Sequence, residues 1–85
     1  MSSIVNVFVS SPDTHSERRI DLHITLAQLK GKLEQITGIP PSNQVIKILA
    51  SESDPRLIAE LTDDSKMLGY YGLTDWQVLK VSWDM

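Results

Sequence analysis

The chain has no cysteine. Disulfide scaffolds, thiolate metal sites and cysteine catalysis are excluded, and a fold without covalent staples suits a reducing cytosol. Glycine is scarce, at four residues, and no G-x-x-x-x-G-K phosphate cradle can be assembled from them. No apolar run approaches the roughly 20 residues needed to span a bilayer. Met1-Ser2-Ser3-Ile4-Val5 lacks the basic stretch and long apolar core of a secretory signal. There is no surplus of positive charge either: 8 basic residues face 11 acidic ones, for a net charge of −3. Duplex nucleic acid and anionic lipid both demand a positive face, so neither is expected as the main partner.

What is present is enough for one domain. Eighty-five residues leave no room for a second core. A chain this short buries only roughly 60–65% of its unfolded surface, which supports one compact core but not a deep enclosed active site. Hydrophobic residues at 41% and charged residues at 22% place it with soluble globular domains rather than disordered chains.

Residues 4–9 read as a strand: Val5, Val7 and Val9 alternate with Asn6, Phe8 and Ser10, putting the valines inward and Phe8 on the opposite face. Residues 10–16 are dense in turn formers and read as a hairpin loop carrying His15. A second strand is expected to turn Ile20, Leu22 and Ile24 inward, with Arg19, Asp21 and His23 outward. Thr25 and Gln28 form a capping box, and Leu26, Leu29, Leu33 and Ile36 recur at helical spacing. Gly38 ends that helix, placed at about residues 26–37, and Pro40 and Pro41 prevent its restart. A third strand over 45–49 follows, then a short fourth over 57–61. Thr62 to Ser65 can cap one helical turn ahead of a compact turn over 67–73, and a last strand occupies about 77–83. Trp76 falls in the turn before it and Trp83 at its end, both expected to pack against the core or its rim.

A hairpin, one helix and further strands make an α+β fold: a mixed sheet with the helix packed across one face, the other face wet. That is the β-grasp arrangement. The segment from Leu26 to Leu33, with its exit Gly38-Ile39-Pro40-Pro41-Ser42-Asn43-Gln44, resembles the helix and following turn of ubiquitin. Ile46 and Ile48 match inward third-strand positions, and Leu68, Tyr71 and Leu73 match the turn before the last strand. Within the ubiquitin-like domains, the run Ala59 to Leu73, with Val7-Phe8-Val9-Ser10-Ser11 and Val81-Ser82-Trp83-Asp84, is similar to the N-terminal domain of the tubulin-folding cofactor B family.

The resemblance implies a non-catalytic protein-interaction domain of a chaperone that acts on α-tubulin in microtubule biogenesis. It would occupy residues 1–85, form the N-terminal domain of a longer protein, and act in the cytoplasm at the cytoskeleton. The partner would be α-tubulin or another tubulin-folding cofactor, and the isolated domain would be a monomer. The resemblance also places Lys30 against Asp64 and the Tyr71 hydroxyl on nearby backbone. The alternative is a ubiquitin-like domain that docks on the proteasome or on a ubiquitin receptor. Two departures from ubiquitin bear on the choice. The chain ends Trp83-Asp84-Met85 without a Gly-Gly pair, so conjugation as a modifier is not expected. Lys47 stands where ubiquitin's binding patch is apolar, and an ammonium buried in an apolar contact costs on the order of several kcal/mol unless compensated.

No serine lies in a G-x-S-x-G elbow, and His15 and His23, eight residues apart without thiolates, do not assemble a tetrahedral metal site. No catalytic residue, cofactor or metal is therefore expected. Asp63 and Asp64 read as turn-capping residues. The candidate contact residues are Phe8, Lys47 and Lys80 on the wet sheet face. Phe8 is expected to rest near Leu49, with the two lysines as neighbours facing an acidic partner.

Overall fold

Alternating valines build the first strand, β1 (Ile4–Ser10), and bury Val5, Val7 and Val9 while Phe8 stays half-exposed on the other face. The computed structural model describes residues 3–84; Met1, Ser2 and Met85, and with them the expectations about a leader and the chain's last residue, lie outside them. A tight turn follows β1, in which the Ser11 amide donates to the Thr14 carbonyl at 2.8 Å and the two hydroxyls lie 2.6 Å apart.

The second strand, β2 (His15–Asp21), begins earlier and stops earlier than its apolar pattern suggests. His15 belongs to the strand rather than to a loop, and Leu22, His23 and Ile24 lie beyond it. Ile20 is the one buried hydrophobe of β2; the other residues are held by antiparallel pairing with β1 from Ile4↔Asp21 to Ser10↔His15. Backbone pairing at a sheet edge therefore overrides the missing alternation. Asp21 ends the strand because its Oδ1 accepts from the His23 amide at 2.8 Å and turns the chain. Leu22 and Ile24 still pack on the core, half-buried, from that turn.

The helix α1 (Leu26–Thr37) forms where its caps place it. Thr25 Oγ1 accepts from the Gln28 amide at 3.2 Å, and Gln28 Oε1 accepts from the Thr25 amide at 2.9 Å. At the other end Gly38 adopts φ 75°, a left-handed conformation that costs glycine nothing, and its amide donates to the Glu34 carbonyl. Leu26, Leu29 and Leu33 are fully buried, each contributing roughly 1.5–3 kcal/mol, and Ile36 is half-buried at the rim of the stripe.

Three further strands complete the sheet: β3 (Gln44–Leu49), β4 (Leu57–Leu61) and β5 (Val78–Trp83). Their order is β2-β1-β5-β3-β4, with β1 and β5 parallel and the remaining neighbours antiparallel. This is the expected mixed sheet with one helix.

Gln44 is the buried polar residue of the core. Its Nε2 donates to the carbonyls of Lys30 and Ile39, both at 2.9 Å, locking the helix exit to β3.

The connection from β4 to β5 closes the bottom of the core with Leu68 and Leu73. Tyr71 pins it: the hydroxyl accepts from the Asp63 amide at 2.8 Å and donates to the Asp63 carbonyl at 3.1 Å. Lys30 Nζ reaches Asp64 Oδ1 at 2.8 Å. Both contacts match the expectation. Asp63 caps a non-helical turn through Ser65, and the 3-10 turn begins only at Leu68.

Candidate functional site

The sheet face opposite α1 carries every second residue of the strands, and its register brings the candidate residues into two adjacent rows. In one row Lys80 of β5 lies opposite Lys47 of β3, and Lys47 in turn lies opposite Glu60 of β4. In the other, Glu17 of β2, Phe8 of β1, Val78 of β5 and Leu49 of β3 follow one another across the sheet. The expected neighbourhood of Lys47 and Lys80 is thus present. Among the described residues, no carboxylate forms an ion pair with either ammonium.

Besides the apolar row that runs through Val78 to Leu49, Phe8 has two aromatic neighbours. Its ring stacks on His15 at 5.9 Å with 12° between the planes, and meets Trp76 at 5.9 Å and 40°. These contacts arise because β2 starts at His15 and because the turn before β5 is fastened to β1. The Trp76 amide donates to the Asn6 carbonyl at 2.6 Å, and Asp75 Oδ1 accepts from the Asn6 amide at 2.7 Å.

Trp76 was expected to be core or rim packing. It is 51% exposed and adopts φ 69°, a left-handed conformation that bulky residues rarely hold. A tryptophan kept there against its conformational preference is an outlier of the sort that collects at binding surfaces. The sequence signal for it was a single large aromatic inside the polar stretch Thr74-Asp75-Trp76-Gln77. Trp83 is also exposed, at the end of β5.

Beside the aromatic strip, His15 Nε2 lies 2.6 Å from Glu52 Oε2, tying the β1–β2 hairpin to the β3–β4 loop. Under that bridge a shallow depression of about 240 Å³ lies among His15, Glu52, Leu49, Val78 and Lys80. Neither Glu52 nor the bridge was legible in the sequence, because the two residues are 37 positions apart. His23, expected on an outward strand face, stands in the turn after β2, its Nδ1 3.7 Å from Asp21 Oδ1. No group of three or more metal-ligating side chains occurs among the described residues. Among the described residues, no helix is long and apolar enough to cross a membrane. What the outer face can do chemically is make contact: a half-buried apolar strip beside two cations suits a partner that pairs apolar side chains with carboxylates.

The profile of the family described as ubiquitin-like domain matches residues 4–83. No curated protein matches the sequence. Several solved structures share the fold. Tubulin-binding cofactor B of Trypanosoma brucei superposes with a TM-score of 0.84 at 22% identity, over 98% of each chain. The N-terminal ubiquitin-like domain of tubulin-binding cofactor B from Drosophila melanogaster gives 0.79 at 25% identity, covering 96% of this chain and 86% of that one. The C-terminal ubiquitin-like domain of mouse tubulin-specific chaperone e gives 0.81 at 19% identity, covering 99% and 90%.

Proposed function

From the premise that the chain belongs to the ubiquitin-like domain family, we propose that it is the non-catalytic protein-interaction domain of a tubulin-folding cofactor. It presents its outer sheet face to α-tubulin or to another cofactor. It acts in the cytoplasm, at the cytoskeleton, as the N-terminal domain of a longer chain. The isolated domain is a monomer. Fold likeness to the cofactor B domains supports the reading, but the observation that carries it is the cation pair Lys47–Lys80 lying beside the Phe8–Trp76 strip.

Like charges placed directly opposite one another weaken a sheet. A fold gains nothing from such a pair on a solvated face, whereas an acidic partner would be attracted by it. Phe8 and Trp76 supply the apolar area, Lys47 and Lys80 the orientation. The alternative, docking on the proteasome or a ubiquitin receptor, is opposed by Lys47: its ammonium stands in the middle of β3, where an apolar contact would have to close over it.

The test is capture of purified α-tubulin by the wild-type domain and by the double variant Lys47→Glu with Lys80→Glu. The variant should stay folded, melting somewhat lower because a glutamate at position 47 then stands between Glu60 and a glutamate at position 80. It should bind less than that small loss of stability accounts for. Equal capture by the two proteins removes the outer face from the proposal.

A further inference from the structure

An open depression of about 730 Å³ lies away from the outer sheet face, and Leu22, His23, Lys66, Met67, Gly69 and Tyr70 line it. None of these is on a strand that carries Phe8, Lys47 or Lys80. Its walls are two chain turns fixed to one another by backbone. The Leu68 amide donates to the Ile24 carbonyl at 3.0 Å, the Gly69 amide to the Leu22 carbonyl at 3.1 Å, and Thr25 bridges Met67. A site held this way is formed before any ligand arrives, so binding requires little ordering of the protein.

Of the apolar side chains that line it, Leu22 also packs on the core and Tyr70 meets the Tyr71 ring edge-on at 5.2 Å, but much of Met67 and Tyr70 is left to solvent. Leu68 and Tyr71 are packed into or against the core, whereas Met67 is 52% and Tyr70 68% exposed. Methionine and tyrosine are types enriched in the buried centres of interfaces.

The charges say what the occupant carries. Each carboxylate near the depression is already engaged: Asp21 by His23, Asp63 by Ser65, and Asp64 by Lys30. Lys66 has no ion-pair partner among the described residues; its ammonium sits 5.0 Å from the centroid of the Tyr70 ring. A cation that forms no close ion pair, although it acts on the Asp63 carboxylate from a distance, is the charge the rim of this apolar depression offers, and it favours a local negative charge over a basic ligand.

We propose that this depression binds a peptide segment of a partner protein in which an aliphatic or aromatic side chain adjoins an aspartate or glutamate. The apolar side chain fills the space between Leu22, Met67 and Tyr70, and the carboxylate pairs with Lys66. The site is independent of the outer face, so the domain can hold two segments at once.

A displayed library of random heptapeptides selected against the domain tests this, followed by titration of the isotope-labelled domain with the best binder. Enriched sequences should place Asp or Glu beside a large apolar residue, and the amides of residues 22–23 and 65–70 should shift. Lys66→Glu should weaken the selected peptide about tenfold or more, Lys66→Arg should leave it intact, and Tyr70→Ser should weaken it roughly two- to tenfold. Failure to enrich any sequence, enrichment of basic peptides, shifts confined to the outer strands, or self-association of the domain through this surface would each overturn the proposal.

Discussion

Lys80 and Lys47 face one another across the β5–β3 ladder, and the single acidic cross-strand neighbour in their row, Glu60, lies on the far side of Lys47. Lys47 thus has one attractive and one repulsive neighbour, while Lys80 has the repulsive one. Stability alone would favour an acid at position 80.

Lys80→Glu should therefore raise stability, by roughly 0.2–1 kcal/mol, because the new carboxylate would face Lys47. Urea denaturation of the two proteins measures this directly. The same variant should bind an acidic partner less well. An unchanged stability would show that the cross-strand repulsion is already relieved by solvent.

Trp76→Gly should separate conformation from contact. The left-handed backbone at this position costs a bulky residue about 1–2 kcal/mol, which glycine recovers. The ring contact with Phe8 is worth about 0.5–1.5 kcal/mol, which glycine loses. The two offset one another, so the melting temperature should move little while affinity for a partner of the outer face drops in titration calorimetry. Loss of several kcal/mol would mark Trp76 as a structural residue.

Gln44→Met should destabilise the fold by about 1–3 kcal/mol despite keeping the side-chain volume. It removes both Nε2 bonds, to Lys30 and to Ile39, and leaves buried carbonyl oxygen without its donor. The orphaned Oε1 of Gln44 disappears in the same exchange and returns part of the loss. Chemical denaturation with the wild type as reference gives the difference.

Asp63 supplies a pH-dependent contribution. Its carboxylate accepts from the Ser65 hydroxyl at 2.6 Å and from the Ser65 amide at 3.0 Å, and these bonds hold its pKa below the ordinary 3.8, with Lys66 adding to the effect. A folded pKa below the unfolded one means stability that is complete above the unfolded value and disappears as pH falls through the folded one. The melting-temperature gap between wild type and Asp63→Asn should hold constant at neutral pH and close below about pH 4. A gap unchanged down to strong acid would remove the carboxylate as its cause.

The helix was readable in full. Its cap, its stripe of Leu26, Leu29 and Leu33, and its glycine stop all depend on residues within four positions of one another, and short-range chemistry is what a sequence displays. The alternating valines of β1 gave up their inward face for the same reason. Lys47 and Lys80 were legible as neighbours once β3 and β5 were taken as adjacent strands. The limits of β2 were not legible, since only one of its seven residues is a buried hydrophobe and pairing with β1 sets its ends.

Likewise, the meeting of Trp76 with Phe8, the His15–Glu52 bridge, and the depression between the two turns all join residues far apart in the chain. Such contacts come into being only when strand order brings distant segments together, and no local pattern encodes which ones meet. The sequence by itself determined one amphipathic helix over one alternating sheet; the tertiary structure decided which aromatic rings, cations and turns share a surface.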